Sequence, residues 1–132
     1  MGNYASLYQS KTIREAAILT TSYVVASADE FLPADVMSAD QVVVFLDFTI
    51  GSLTTLEVKI EYSNDGTNWY QETFGSVSGG TNTLSAGVNS AAATGVYTIM
   101  SDIAGKYVRV SAKGTGTVTS SSLKIEAALK TT

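Results

Sequence analysis

Residues 53 to 70 read LTTLEVKIEYSNDGTNWY, and this stretch decides the fold. Leu56, Val58, Ile60 and Tyr62 alternate with Glu57, Lys59 and Glu61. Successive side chains of a strand point to opposite faces, so this is a strand with one buried face and one wet face. Ser63-Asn64-Asp65-Gly66 follows at once. Asp-Gly and Asn tolerate positive φ and bond to their own backbone, which makes this the strongest hairpin signal in the chain. The chain returns through Asn68-Trp69-Tyr70, with the only Trp it contains.

The same period governs the rest of the sequence, and helical spacing is nearly absent. Residues 41–50, QVVVFLDFTI, put Val42, Val44, Leu46 and Phe48 on one face and Val43, Phe45, Asp47 and Thr49 on the other. A strand apolar on both faces sits centrally or beneath a covering segment. Residues 16–26, 96–101, 107–112 and 117–129 are further expected strands, with turns at Gly105 and at Lys113 to Gly116. Residues 75–95 are small, uncharged and Gly-rich, and read as a long loop with at most a short strand near 83–88. The expectation is an all-β, antiparallel, jelly-roll-like β-sandwich of seven or eight strands over residues 16–132, preceded by an extended arm over 1–15.

Composition narrows the function. The chain has 132 residues, enough for one domain that buries roughly two-thirds of its unfolded surface. Hydrophobic residues make up 45% and charged residues 15%, so a packed core is within reach. There is no Cys and no His. Disulfides, thiolate or imidazole metal ligands and a histidine base are thereby excluded. The net charge of −4 and the lack of a basic cluster argue against nucleic-acid binding. The longest fully apolar run, Val42 to Leu46, is far too short to cross a membrane as a helix. The start, MGNYASLYQSKTIRE, has no cationic segment leading into an apolar stretch and does not read as a signal peptide. Met1-Gly2 with Ser6 opens a myristoylation pattern, but so short a motif arises by chance.

Candidate sites are few. Trp69 and Tyr70 are neighbours in a returning strand, so they point to opposite faces, one expected in the core and one on a surface. With Asn68 they form a possible recognition surface whose plainer role is packing the hairpin. Asp65, Asn64 and Asn68 lack the acidic ladder and closing Glu of an EF-hand, and read as a turn. Asp29, Glu30, Asp35 and Asp40 surround Pro33 and read as a solvated acidic connection without an oxygen cage for Ca²⁺. Glu57 and Glu61 lie about 13 Å apart by strand rise, too far for a glycosidase pair. Tyr4, Leu7 and Tyr8 lie outside the alternating strands. Ordering an arm costs backbone entropy that three apolar side chains alone do not offset, so these residues are expected to dock on a neighbouring subunit. No enzyme activity, metal or cofactor is expected.

Two resemblances follow. Tyr62 to Trp69 (YSNDGTNW), Tyr107-Val108-Arg109-Val110 and Leu123-Lys124-Ile125-Glu126, in that order over residues 53–128, resemble the strands of discoidin-type jelly rolls. The terminal cysteines of that family and most of its N-terminal half, with the ligand-binding spikes, are absent. The resemblance therefore implies a sandwich core, and as an alternative function a glycan-binding adhesion module. The chain as a whole, with its leading arm, EYSNDGTNW and GKYVRV strands and Gly/Ser/Thr/Ala-rich loops, resembles small virion proteins of tailed bacteriophages. That resemblance implies a structural virion protein, foremost a capsid decoration or cement protein and otherwise a neck or tail protein. Its implied partners are other virion proteins, the major capsid protein first, and further copies of itself in a symmetric assembly. It would be made in the host cytoplasm and reside on the capsid surface.

Overall fold

In the computed structural model the described residues are 6–7 (backbone alone), 10–26 and 39–131. Twelve strands and no helix occur among them: β1 Ser6–Leu7, β2 Lys11–Ala17, β3 Val24–Val25, β4 Gln41–Thr49, β5 Leu53–Ser63, β6 Tyr70–Gln71, β7 Thr73–Ser78, β8 Thr81–Ala86, β9 Asn89–Ala91, β10 Gly95–Asp102, β11 Tyr107–Gly116 and β12 Ser122–Thr131. All pairings are antiparallel. One sheet runs β2-β12-β4-β10, with β1 continuing β2 along the same side of β12. The other runs β3-β11-β5, with β6 and β9 following one another along the far side of β5.

With β1 and β2 counted as one interrupted strand, and β6 and β9 as another, the sandwich has eight strands. The chain changes sheet at each step from β2 to β5 and again from β9 to β12, which is jelly-roll connectivity. Apolar alternation explains why the sheets close face to face. Val42, Val44, Leu46 and Phe48 of β4 and Leu123, Ile125, Ala127 and Leu129 of β12 meet Leu56, Val58, Ile60 and Tyr62 of β5 and Val108, Val110 and Ala112 of β11. All are buried in a single cluster. Val43, on the opposite face of β4, is also buried, as its doubly apolar pattern implies.

Four details differ from the sequence reading. Strand β2 starts at Lys11, inside the stretch expected to be arm; Ile13 enters the core and the strand pairs with β12. Of the expected strand over 16–26, residues 16–17 end β2, and the rest is a loop that seats Leu19 in the core and a two-residue β3. The Arg14 guanidinium holds this loop by donating to the carbonyls of Ala17, Ile18 and Leu123. Residues 113–116 do not turn but extend β11, because Gly114 packs where a side chain would strike Leu53 and its N–H bonds Thr20. The turn falls at 117–121. Lastly, the presumed loop over 75–95 contains a six-rung hairpin, β7–β8.

The inner rows set the stability. Phe48 is 1% exposed at the centre of β4, so Phe48→Ala should lower the unfolding free energy by about 3–5 kcal/mol in urea titration.

Candidate interaction surface

The 63–69 turn stabilises itself. The Asp65 carboxylate accepts from the N–H groups of Thr67 and Asn68, both at 2.8 Å, from the Asn68 side-chain amide at 2.7 Å and from the Ser63 hydroxyl at 3.0 Å. Ser63 Oγ in turn accepts from Gly66 N–H at 2.9 Å. These donors hold the Asp65 carboxyl well below the usual carboxylate range. Gly66 has φ of 76°, as the Asp-Gly signal requires, and a Cβ there would lie 3.3 Å from the Tyr107 ring. Asn68 is thus spent on the turn.

Trp69 and Tyr70 do not divide between core and surface. The indole lies half-buried on the outer face of the β5–β11 sheet. The Arg109 guanidinium covers it at 4.3 Å from the ring centre, and Tyr107 meets it edge-on at 6.5 Å. Tyr70 pairs with Tyr62 at the rim of the sandwich and stays 67% exposed. The core position at that level is already filled by Tyr62. Around Trp69 the outer face is a ladder of paired charges. Glu61 is buried between Arg109, at 3.0 Å, and Lys59, at 3.8 Å, while Glu57 faces Lys113 at 3.7 Å. Lys59 and Lys113 both lie over the Tyr23 ring. Glu57 and Glu61 are therefore structural partners of cations on β11 and, for Glu61, of Lys59 on β5 itself.

The feature the sequence reading missed is the β7–β8 hairpin. It pairs with no other strand among the described residues, and all twelve of its strand residues are exposed. Gly79 and Gly80, with φ of 58° and 80°, form the two-residue turn that matches strand twist. The hairpin leaves the sandwich between β6 and β9, where its base is tied. Glu72 N–H donates to the Ile60 carbonyl at 3.0 Å, and Gly87 N–H to the Glu72 carbonyl at 2.6 Å. The Glu72 carboxylate accepts from Ser101 Oγ of β10. Ser101 lies 2.8 Å from the Tyr62 phenol, which also reaches the Asp102 carbonyl at 2.8 Å. Burial pushes the Tyr62 phenol up to about 12. This chain of bonds joins the core of one sheet, the edge of the other and the foot of the hairpin.

From Thr73 to Ser101 the sequence has no charged residue. Phe74, Val77, Leu84, Val88, Val96 and Met100, six of the ten large apolar side chains exposed among the described residues, fall in that span. The hairpin and β10 thus share an uncharged, partly apolar character that the charged outer face of β5–β11 lacks. Of the arm residues expected to make contacts, Tyr4 and Tyr8 lie outside the described residues. For Leu7 only the backbone is described, in register with Lys130. Asp29, Glu30 and Asp35 also lie outside them. Asp40 is within, its N–H bonded to the Lys130 carbonyl and its carbonyl accepting from Ile103. No group of three His, Cys, Asp or Glu side chains suited to a metal occurs among the described residues.

Gly66→Val should destabilise by roughly 1–3 kcal/mol, because a β-branched residue resists positive φ and meets the Tyr107 ring; thermal melts check this. The Asp65 turn makes a pH prediction. Its folded pKa is depressed, so its contribution is present above the unfolded carboxylate range near pH 4 and lost as pH falls. The stability gap between wild type and Asp65→Ala should therefore be widest near neutrality and shrink on acidification, in denaturant titrations at a series of pH values. Tyr62→Phe should cost about 1–3 kcal/mol by leaving Ser101 without its phenol partner.

Comparison of the chain with family models, with curated proteins and with solved structures finds no match.

Proposed function

We propose that the chain is a structural protein that acts by contact, and that its setting is the virion of a tailed phage, where it serves as a capsid decoration protein. The observation that carries the contact reading is the β7–β8 hairpin. An isolated two-stranded hairpin is marginal in water, yet this one is anchored at its foot by Glu72 and Gly87 and extends Phe74, Val77 and Leu84 into solvent. Such an element gains its stability by docking on another surface. The eight-stranded sandwich supplies a rigid block from which to present it. The virion setting rests on the resemblance of the whole chain to small phage proteins, and the major capsid protein is the partner it implies. A neck or tail position is the alternative within that setting. A glycan-binding role draws less support, since Arg109 already covers one face of Trp69 and Asn68 is occupied by Asp65.

The test is incorporation. Wild-type protein should co-purify with particles of the phage that encodes it, at a copy number matching a capsid symmetry. The Phe74→Ser, Leu84→Ser variant should keep the wild-type melting temperature, because both side chains are exposed, and should be lost from the particles by at least about tenfold. Binding to a glycan array with no incorporation into particles would refute the reading in favour of adhesion.

A further inference from the structure

A sheet edge left open is a template for another strand, and folded proteins blunt their edges with charges, bulges, short strands or cover. Three of the four edges of this sandwich follow that rule. Strand β2 carries Lys11, Arg14 and Glu15 and pairs with β12 through two register shifts. Strand β3 has two residues. The edge formed by β6 and β9 is broken by the hairpin that leaves between them.

The fourth edge, β10, has none of these devices apart from one charge at its end. It is eight residues long, keeps unbroken register with β4, and has no Pro, Lys or Arg. Its single charge, Asp102, is the last residue. No strand pairs with its outer side among the described residues. Val96 and Met100 project from it to solvent, 79% and 53% exposed, while Tyr97 and Ile99 turn inward against the core.

We propose that β10 pairs antiparallel with β10 of a second copy of this chain, joining the two sheets across a two-fold axis near Thr98. The occupant follows from complementarity. With Thr98 opposite Thr98, Val96 of each copy faces Met100 of the other, so the two exposed apolar residues cover one another. Asp102 falls opposite Thr94, so no like charges meet on the paired strands. The flanking row adds attraction. Lys130 reaches across β4 to within 4.0 Å of Met100 Sδ. Asp47 is the neighbour of Val96 on β4. Pairing Met100 with Val96 therefore brings Lys130 of one copy to about two strand spacings, some 10 Å, from Asp47 of the other, twice by symmetry. A chain of net charge −4 approaches its own copy more readily through a surface poor in charge, and β10 carries only Asp102. The contact is isologous and closes at two copies. It does not depend on which larger body the protein joins.

Analytical ultracentrifugation of the purified full chain tests this. Wild type should show a concentration-dependent monomer–dimer equilibrium in the micromolar range. The Val96→Lys, Met100→Lys variant, which sets lysine against lysine across both pairs, should weaken it by about a hundredfold with an unchanged melting temperature at dilution. The Val96→Glu, Met100→Glu variant should also be monomeric. Mixed in equal amounts, the two variants should form a mixed dimer, which a nonspecific loss of folding cannot produce. Wild type that stays monomeric, as when another part of the same chain covers β10, would overturn the proposal. So would a dimer that survives the lysine substitutions, or variants that fail to associate when mixed. The Phe74→Ser, Leu84→Ser variant should still dimerise, which separates this contact from incorporation into particles.

Discussion

The structure depends on one constraint, the closure of two inner apolar rows against each other. Strands β4 and β12 offer one row, and β5 and β11 the other. With no Cys in the chain, no disulfide supplements that packing. The alternation is strict because a slip of one residue would turn an entire row to solvent. It therefore fixes register as well as stability. The charged outer face of β5–β11 follows: Glu57, Lys59 and Glu61 are the residues left over when Leu56, Val58, Ile60 and Tyr62 turn inward. The two glutamates find partners in Arg109 and Lys113, which are left over from β11 in the same way, and Lys59 pairs with Glu61.

From this core a single polar connection leads outward. Tyr62 is the last inward residue of β5, and its phenol meets Ser101 on the edge of the opposite sheet. Ser101 passes the connection to Glu72 at the foot of the hairpin. The exposed hairpin is thereby positioned by a buried residue at the rim of the core. The side that carries the hairpin and β10 is free of charge from Thr73 to Ser101, whereas the sheet face around Trp69 is crowded with ion pairs. One surface is crowded with internal ion pairs, and the other is exposed and poor in charge.

Much of the fold was legible in the sequence because the core strands announce their period. Leu56 to Tyr62 alternates without a break, Val42 to Phe48 is apolar on both faces as a central strand is, and Asp65-Gly66 marks a turn that the positive φ of Gly66 confirms. The hairpin was not legible because exposure removes the signal. Phe74 and Val77 lie on opposite faces, and the remaining positions are small or polar, so nothing alternates. Its one readable mark was Gly79-Gly80, a two-residue hairpin turn obscured by other glycines nearby. Gly114 and Gly116 misled in the opposite direction. They read as a turn, but Gly114 serves a close approach to Leu53, and Gly116 the bulge that ends pairing with β5. The role of Trp69 was half legible: its packing on the hairpin follows from adjacency, but its cover by Arg109 depends on a strand 40 residues later in the chain.

The central claim is that a self-sufficient core presents an uncharged side whose open edge, β10, is proposed to pair on assembly. Amide hydrogen exchange of the wild-type chain, followed by mass spectrometry at low and at high protein concentration, addresses it most directly. The account predicts strong, concentration-independent protection in β4, β5, β11 and β12. It predicts fast exchange in β10 and in the β7–β8 hairpin at low concentration, with protection of β10 rising as copies associate. Equal protection of β10 at every concentration would contradict the account, and so would core strands that exchange as quickly as the hairpin.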